Sequence, residues 1–118
     1  SKLSSFKKTK KLSDLPKGLS IGIPNDTTNE GRALLLLERN GLIKVKPGIS
    51  YPTKKDIQLN PYDISIKELD PAMLPRVIQA KQIDLAVINS NYALQAKFNP
   101  LKDATFIENS KSLFVNII

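Results

Sequence analysis

The sequence has no cysteine, no histidine and no tryptophan, and only three Tyr and four Phe among its 118 residues. Without cysteine there is no disulfide, no thiolate metal site and no cysteine nucleophile, and without histidine the usual neutral-pH proton shuttle is absent too. These absences remove most routes to acid–base, nucleophilic and metal-assisted catalysis, so the residues point away from an enzyme. No apolar run approaches the roughly 20 residues needed to cross a bilayer. The opening "SKLSSFKKTKK" lacks the apolar core of a signal peptide. That leaves either a cytosolic protein or one whose targeting segment is no longer attached.

What is present is a composition suited to a single globular domain: 41% hydrophobic and 25% charged residues, long enough for one core and too short for two ordinary ones. The net charge of +7 is unevenly spread. Residues 1–17 hold six Lys against one Asp, whereas the rest of the chain is nearly neutral. A lysine-rich end without interleaved arginine reads as a solvated basic arm, and no nucleic-acid partner is assigned to it. Residues 18–118 then form a single α/β ligand-binding lobe.

Periodicity supplies the elements. "LSIGIP" at 19–24 and "DISIKEL" at 63–69 alternate as strands do, and "IDLAVIN" at 83–89 is the short apolar run of a strand buried in a parallel sheet. A leucine-rich helix is expected from about Asn29 to Arg39, opened by a Thr27/Glu30 capping box and closed by Asn40-Gly41. Its run Ala33 to Leu37 leaves little polar face, so sheet should cover one side and another element the other. "GLIKVKPGISYPT" reads as loop or short extended chain, and "KKDIQLNP" as a short helix ended by Pro61. Asp70-Pro71 caps a helix in "AMLPRVIQAKQ", with Pro75 shifting its regular start downstream. "SNYALQAKF" reads as helix, and "ATFIEN" and "LFVNII" as two further strands. Alternation of strand and helix predicts an α/β fold, a three-layer lobe with a mostly parallel sheet and flanking helices.

In such folds ligands collect beyond the carboxyl ends of the strands, where the helices that follow present their N-termini. Three strand ends carry polar groups: Asn25, Asp26, Asn29 and Arg32 after the first, Asn89 and Asn91 at another, and Asn116 within "FVNII". Asn29 and Arg32 are three apart and share a helix face, with side chains leaning back toward the mouth. A guanidinium over a helix N-terminus receives a carboxylate or phosphate well. Taken alone, Arg32 also reads as a solvated first-turn residue that slightly opposes the helix dipole. Asn89 and Asn116 must satisfy both donors and acceptors in apolar strands. They read either as turn caps or as amides that bond an amino acid's ammonium and carboxylate. The acids Asp26, Glu30, Asp70 and Asp84 form no catalytic pair or metal cage and are assigned to capping and surface roles. "PNDTTNEGR" lacks the repeated glycines and the lysine of a phosphate loop, and no cofactor is assigned.

The segments "IPNDTTNEGRALLLLERNGLIKVKPG", "ELDPAMLPR", "DLAVINSNYALQA" and "FVNII" resemble, in this order, the methionine-binding lipoproteins of the MetQ/NlpA type, which serve bacterial methionine ABC importers. The similarity runs from about Leu12 onward. It implies a type II periplasmic-binding-protein fold of two lobes, with methionine or a related amino acid held in the cleft and delivered to an importer permease. It also implies an extracytoplasmic location through a lipid anchor. By the same resemblance Arg32 pairs with the ligand's α-carboxylate with Asn29 beside it, Asn89 and Asn116 bond its polar ends, and Tyr92 packs without touching ligand. The family commonly has proline where this chain has Thr27, and proline starts a helix equally well. Family chains are much longer, so the resemblance implies that the first lobe, its aromatic thioether pocket, the signal peptide and the lipid-bearing cysteine lie outside this segment. A reading of another class is the effector-sensing lobe of a transcription regulator, with the basic arm as linker. The ligand's chirality and the oligomeric state are left open.

Overall fold

In a computed structural model, residues 16–89, 104–109 and 113–117 are described. The strand β1 (Ser20–Pro24) is followed by helix α1 (Thr27–Arg39), a short β2 (Lys44–Val45), a 3₁₀ turn at Lys54–Asp56, β3 (Ile57–Leu59) and β4 (Ser65–Leu69). A second 3₁₀ turn, Pro71–Met73, leads into α2 (Leu74–Gln79), and β5 (Leu85–Asn89), β6 (Ala104–Asn109) and β7 (Leu113–Ile117) complete the described elements. The helix expected at "SNYALQAKF" lies outside the described residues, as does the arm at 1–15.

Five strands form one sheet in the order β4-β1-β5-β7-β6. β1 pairs in parallel with β4 and with β5, while β7 runs antiparallel to both β5 and β6. Four of the five strands therefore point the same way, as the alternating pattern of strand and helix predicted. Side-chain alternation divides the core into two. Leu19, Ile21, Ile23, Leu85 and Val87 pack on Ala33, Leu34, Leu36 and Leu37 of α1, while Ala86 and Ile88 pack on Leu74 and Ile78 of α2, with Ile83 beside them. Helices on opposite faces make the middle of the three layers the sheet. Each fully buried Leu or Ile contributes about 1.5–3 kcal/mol of transfer free energy, and both faces are dense with them.

The start of α1 differs from the expected capping box by one residue. Asp26, not Thr27, is the N-cap, with extended backbone and a carboxylate that accepts the Asn29 N–H. Aspartate caps better than threonine, and Glu30, on the stripe of Ala33, Leu34 and Leu37, faces inward. The end is as expected: Gly41 at φ +76 lets its N–H reach Glu38 O at 2.9 Å and the Leu42 N–H reach Leu37 O at 3.0 Å, the paired bonds of a Schellman motif. The stretch "KKDIQLNP" is not a helix. Thr53 and Asp56 close a single 3₁₀ turn, after which Ile57–Leu59 extends and pairs antiparallel with β2. The mutual bonds of Thr53 and Asp56 stop the turn before a second can form, and Ile57 packs on the core beside α1. The outer flank of α1 is covered by this segment: Val45 donates its N–H to Glu38 Oε2 at 2.9 Å.

Candidate functional site

β1 and β5 lie side by side and parallel, so Pro24 and Asn89 end at the same edge of the sheet. The chain leaves β1 toward α1 and returns to the far side of β1 as β4, whereas β5 lies on its other side. Connections that part to either side of one strand leave a crevice at the carboxyl ends, where ligands of α/β folds sit. The rim loop is held in place by Asn25, whose N–H reaches Leu69 O at the end of β4 at 2.8 Å.

Helix α1 starts at this rim, and its first turn is organised by a chain of polar contacts. Asp26 Oδ2 accepts from the Asn29 N–H at 3.2 Å and from Asn29 Nδ2 at 2.9 Å; Asn29 Oδ1 in turn accepts from Arg32 Nη1 at 3.4 Å. The last contact is long, so Arg32 is aligned toward the mouth without being consumed by it. Asp26 Oδ1 is buried with no partner, one unmatched acceptor at the same rim.

Of the four residues predicted for the site, Asn29 and Arg32 are brought together by these contacts, and the backbone of Asn89 reaches the same sheet edge on the neighbouring strand. Asn116 lies elsewhere along the sheet: it is in register with Ala86, three positions from the end of β5, roughly 10 Å at the rise of a strand.

Sequence reasoning overlooked a second feature beside the rim. Glu30, assigned to capping and surface, is only 5% exposed. It lines an open pocket of about 460 Å³ together with Thr53, Lys54, Lys55 and Glu68. Burial and the neighbouring carboxyl of Glu68 raise the Glu30 pKa to about 7, partly offset by the Lys54 N–H that bonds it. The signal was in the period: Glu30, Ala33, Leu34 and Leu37 follow the i, i+3, i+4, i+7 spacing of the buried stripe.

Among the described residues no group of three or more acids could hold a metal ion. The described rim carries the Asp26 carboxylate, the Asn29 amide, the Arg32 guanidinium and helix N–H groups. Residues 2–118 match the model of the NlpA lipoprotein family. The chain belongs to this family.

NlpA-family relatives match nearly the whole of this chain and share its fold. The D-methionine-binding lipoprotein MetQ of Salmonella typhi is 49% identical over 113 residues, 95% of this chain and 42% of the relative. A nutrient-binding protein of Burkholderia cenocepacia, solved bound to methionine, is 43% identical and superimposes with a TM-score of 0.78 over 97% of this chain and 48% of its own. The periplasmic substrate-binding protein of an ABC transporter from Coxiella burnetii is 40% identical, with a TM-score of 0.73 over 90% of this chain and 45% of its own. The chain thus spans less than half the length of each of these relatives.

Proposed function

We propose that this chain is one lobe of an extracytoplasmic, lipid-anchored solute-binding protein that holds methionine, or a closely related amino acid, and delivers it to an ABC importer. The observation that carries the reading is the methionine-bound Burkholderia relative, alike over nearly all of this chain, combined with an arginine and an asparagine aligned at the rim of the sheet. In this reading Arg32 forms the bidentate pair with the α-carboxylate, supported by the N-terminus of α1. Asn29 orients the guanidinium through its Oδ1. Asn89 and Asn116 supply amides for the ligand's ammonium and carboxylate ends. A second lobe, outside this segment, closes over the ligand and buries its thioether side chain, each methylene contributing about 0.8 kcal/mol. No catalytic step is part of this function.

Titration calorimetry on the intact receptor, with L-methionine, D-methionine and leucine, tests the reading. Saturable binding of a methionine enantiomer, with leucine much weaker, supports it. A receptor that binds neither enantiomer, yet takes up another class of metabolite, overturns it.

A further inference from the structure

Glu30 combines features that surface helix positions do not. It is 5% exposed, and its Oε2 is buried without a hydrogen-bond partner. The pocket it lines places it with a second carboxyl, Glu68 of β4, and with Lys54 and Lys55 of the 3₁₀ turn. The charged groups around it are therefore Glu68 on one element, the two lysines on another, and Asp26 at the cap of its own helix. Lys54 does not neutralise it as a free ammonium, because its Nζ donates to Ile66 O on β4 at 3.0 Å. What Lys54 gives Glu30 is its backbone N–H. Two ionised carboxylates cannot bond each other, and an acceptor buried without a donor is costly. A single proton removes both problems, since it supplies the missing donor and converts repulsion into an O–H···O⁻ bond, which is short and strong. A metal ion would also bridge the acids, but Lys54 and Lys55 on the same wall disfavour a second cation.

We propose that Glu30 and Glu68 hold one proton between them, and that this shared proton latches β4 to the first turn of α1. Loss of the proton leaves two anions facing each other across the pocket. The first turn of α1 then loosens from β4, while the bond from the Lys54 N–H, which favours the anion, still holds Glu30. The inference concerns a conformational element of this chain and does not rest on the identity of any ligand.

The experiment follows glutamate side-chain carbons and the Asn25 amide by NMR in the full 118-residue chain between pH 4 and pH 8. The latch predicts one Glu30 titration well above the ordinary carboxylate range. Over the same interval exchange of the Asn25 amide, which bonds Leu69 O of β4 at 2.8 Å, should accelerate beyond the tenfold per pH unit of intrinsic base catalysis. Glu68→Gln removes the like charge and offers a donor, so the Glu30 midpoint should fall by about one pH unit or more. Glu30→Gln, which donates permanently to Glu68, should abolish the excess acceleration at Asn25. A Glu30 midpoint unchanged by Glu68→Gln would mean that burial alone holds the proton, and the latch would be wrong. Exchange at Asn25 without excess acceleration in the unsubstituted chain would overturn it equally. Should Glu30→Gln fail to fold, the Glu68→Gln titration still decides.

Discussion

A Cβ placed on Gly31 would stand 2.7 Å from the Cα of Tyr51. The glycine in the first turns of α1 therefore serves close packing, because the chain that covers the helix passes directly over it with its backbone. In an exposed helix Gly→Ala gains roughly 0.5–1 kcal/mol. Here the gain is overridden, since a backbone atom cannot swing aside as a side-chain tip can. Gly31→Ala should be destabilising by about 1–3 kcal/mol, the usual cost of overpacking. Urea denaturation of the two chains measures it, and a stabilised variant would show that the segment around Tyr51 moves away easily.

The other end of the sheet depends on Asp84. Its Oδ2 accepts from the Ser20 N–H at 2.9 Å and from Ser20 Oγ at 3.2 Å, while its own N–H reaches Ser20 Oγ at 3.0 Å. These bonds join the beginnings of β1 and β5, 64 positions apart in sequence, and so fix the register that aligns the two strand ends at the rim. Asp84→Ala leaves a part-buried N–H without its acceptor and should cost about 1–3 kcal/mol. Asp84→Asn keeps an acceptor and should cost less. Equal losses for the two variants, read from thermal unfolding, would contradict the hydrogen-bond account.

Stability should also depend on pH through Glu30. Its folded pKa is raised from 4.5 to about 7, so the folded chain keeps a proton that the unfolded chain has released. The contribution is therefore fully present below about pH 4.5 and is lost as pH rises through about 7, the reverse of a salt-bridged carboxylate. Solvent in the open pocket screens the pair, which limits the loss to the order of 1 kcal/mol. The difference in unfolding free energy between the unsubstituted chain and Glu30→Gln, followed from pH 4 to pH 8, isolates this group. A difference that stays flat across the interval would remove it.

The strands and the long helix were legible because each carries one clear period: alternation at 19–24 and 63–69, and a leucine stripe through α1. The end of α1 was legible because Asn40-Gly41 has few other uses. The region between Lys54 and Pro61, read as a helix, was not. Two- and three-residue strands such as β2 and β3 are too short to show a period, and their pairing depends on a turn whose length Thr53 and Asp56 set locally. The contact between Asn29 and Arg32 was legible from their three-residue spacing at the mouth of a helix. Glu30 was misplaced because Thr27 offered a plausible capping-box partner, which hid that Glu30 lies on the stripe of Ala33, Leu34 and Leu37. The level of Asn116 could not be read at all, because nothing local to "FVNII" says with which residue of β5 it pairs.

Arg32 is the residue whose loss should separate binding from folding. It is half-buried and makes one long contact with Asn29 at 3.4 Å, so Arg32→Ala should change thermal stability by no more than about 0.5 kcal/mol. If Arg32 is the partner of the ligand's carboxylate, the same substitution in the intact receptor should weaken methionine binding by about 2–5 kcal/mol, because it leaves a buried anion unpaired. Asn29→Ala should weaken binding less and stability more, since Asn29 Nδ2 also donates to Asp26 at 2.9 Å and steadies the first turn of the helix. Calorimetry and thermal unfolding on the two variants therefore give opposite rankings. Unchanged affinity in Arg32→Ala would take the guanidinium out of the site. The anion would then rest on the N-terminal N–H groups of α1 alone, and these supply too little energy to hold a zwitterion against water unless the second lobe provides a cation of its own.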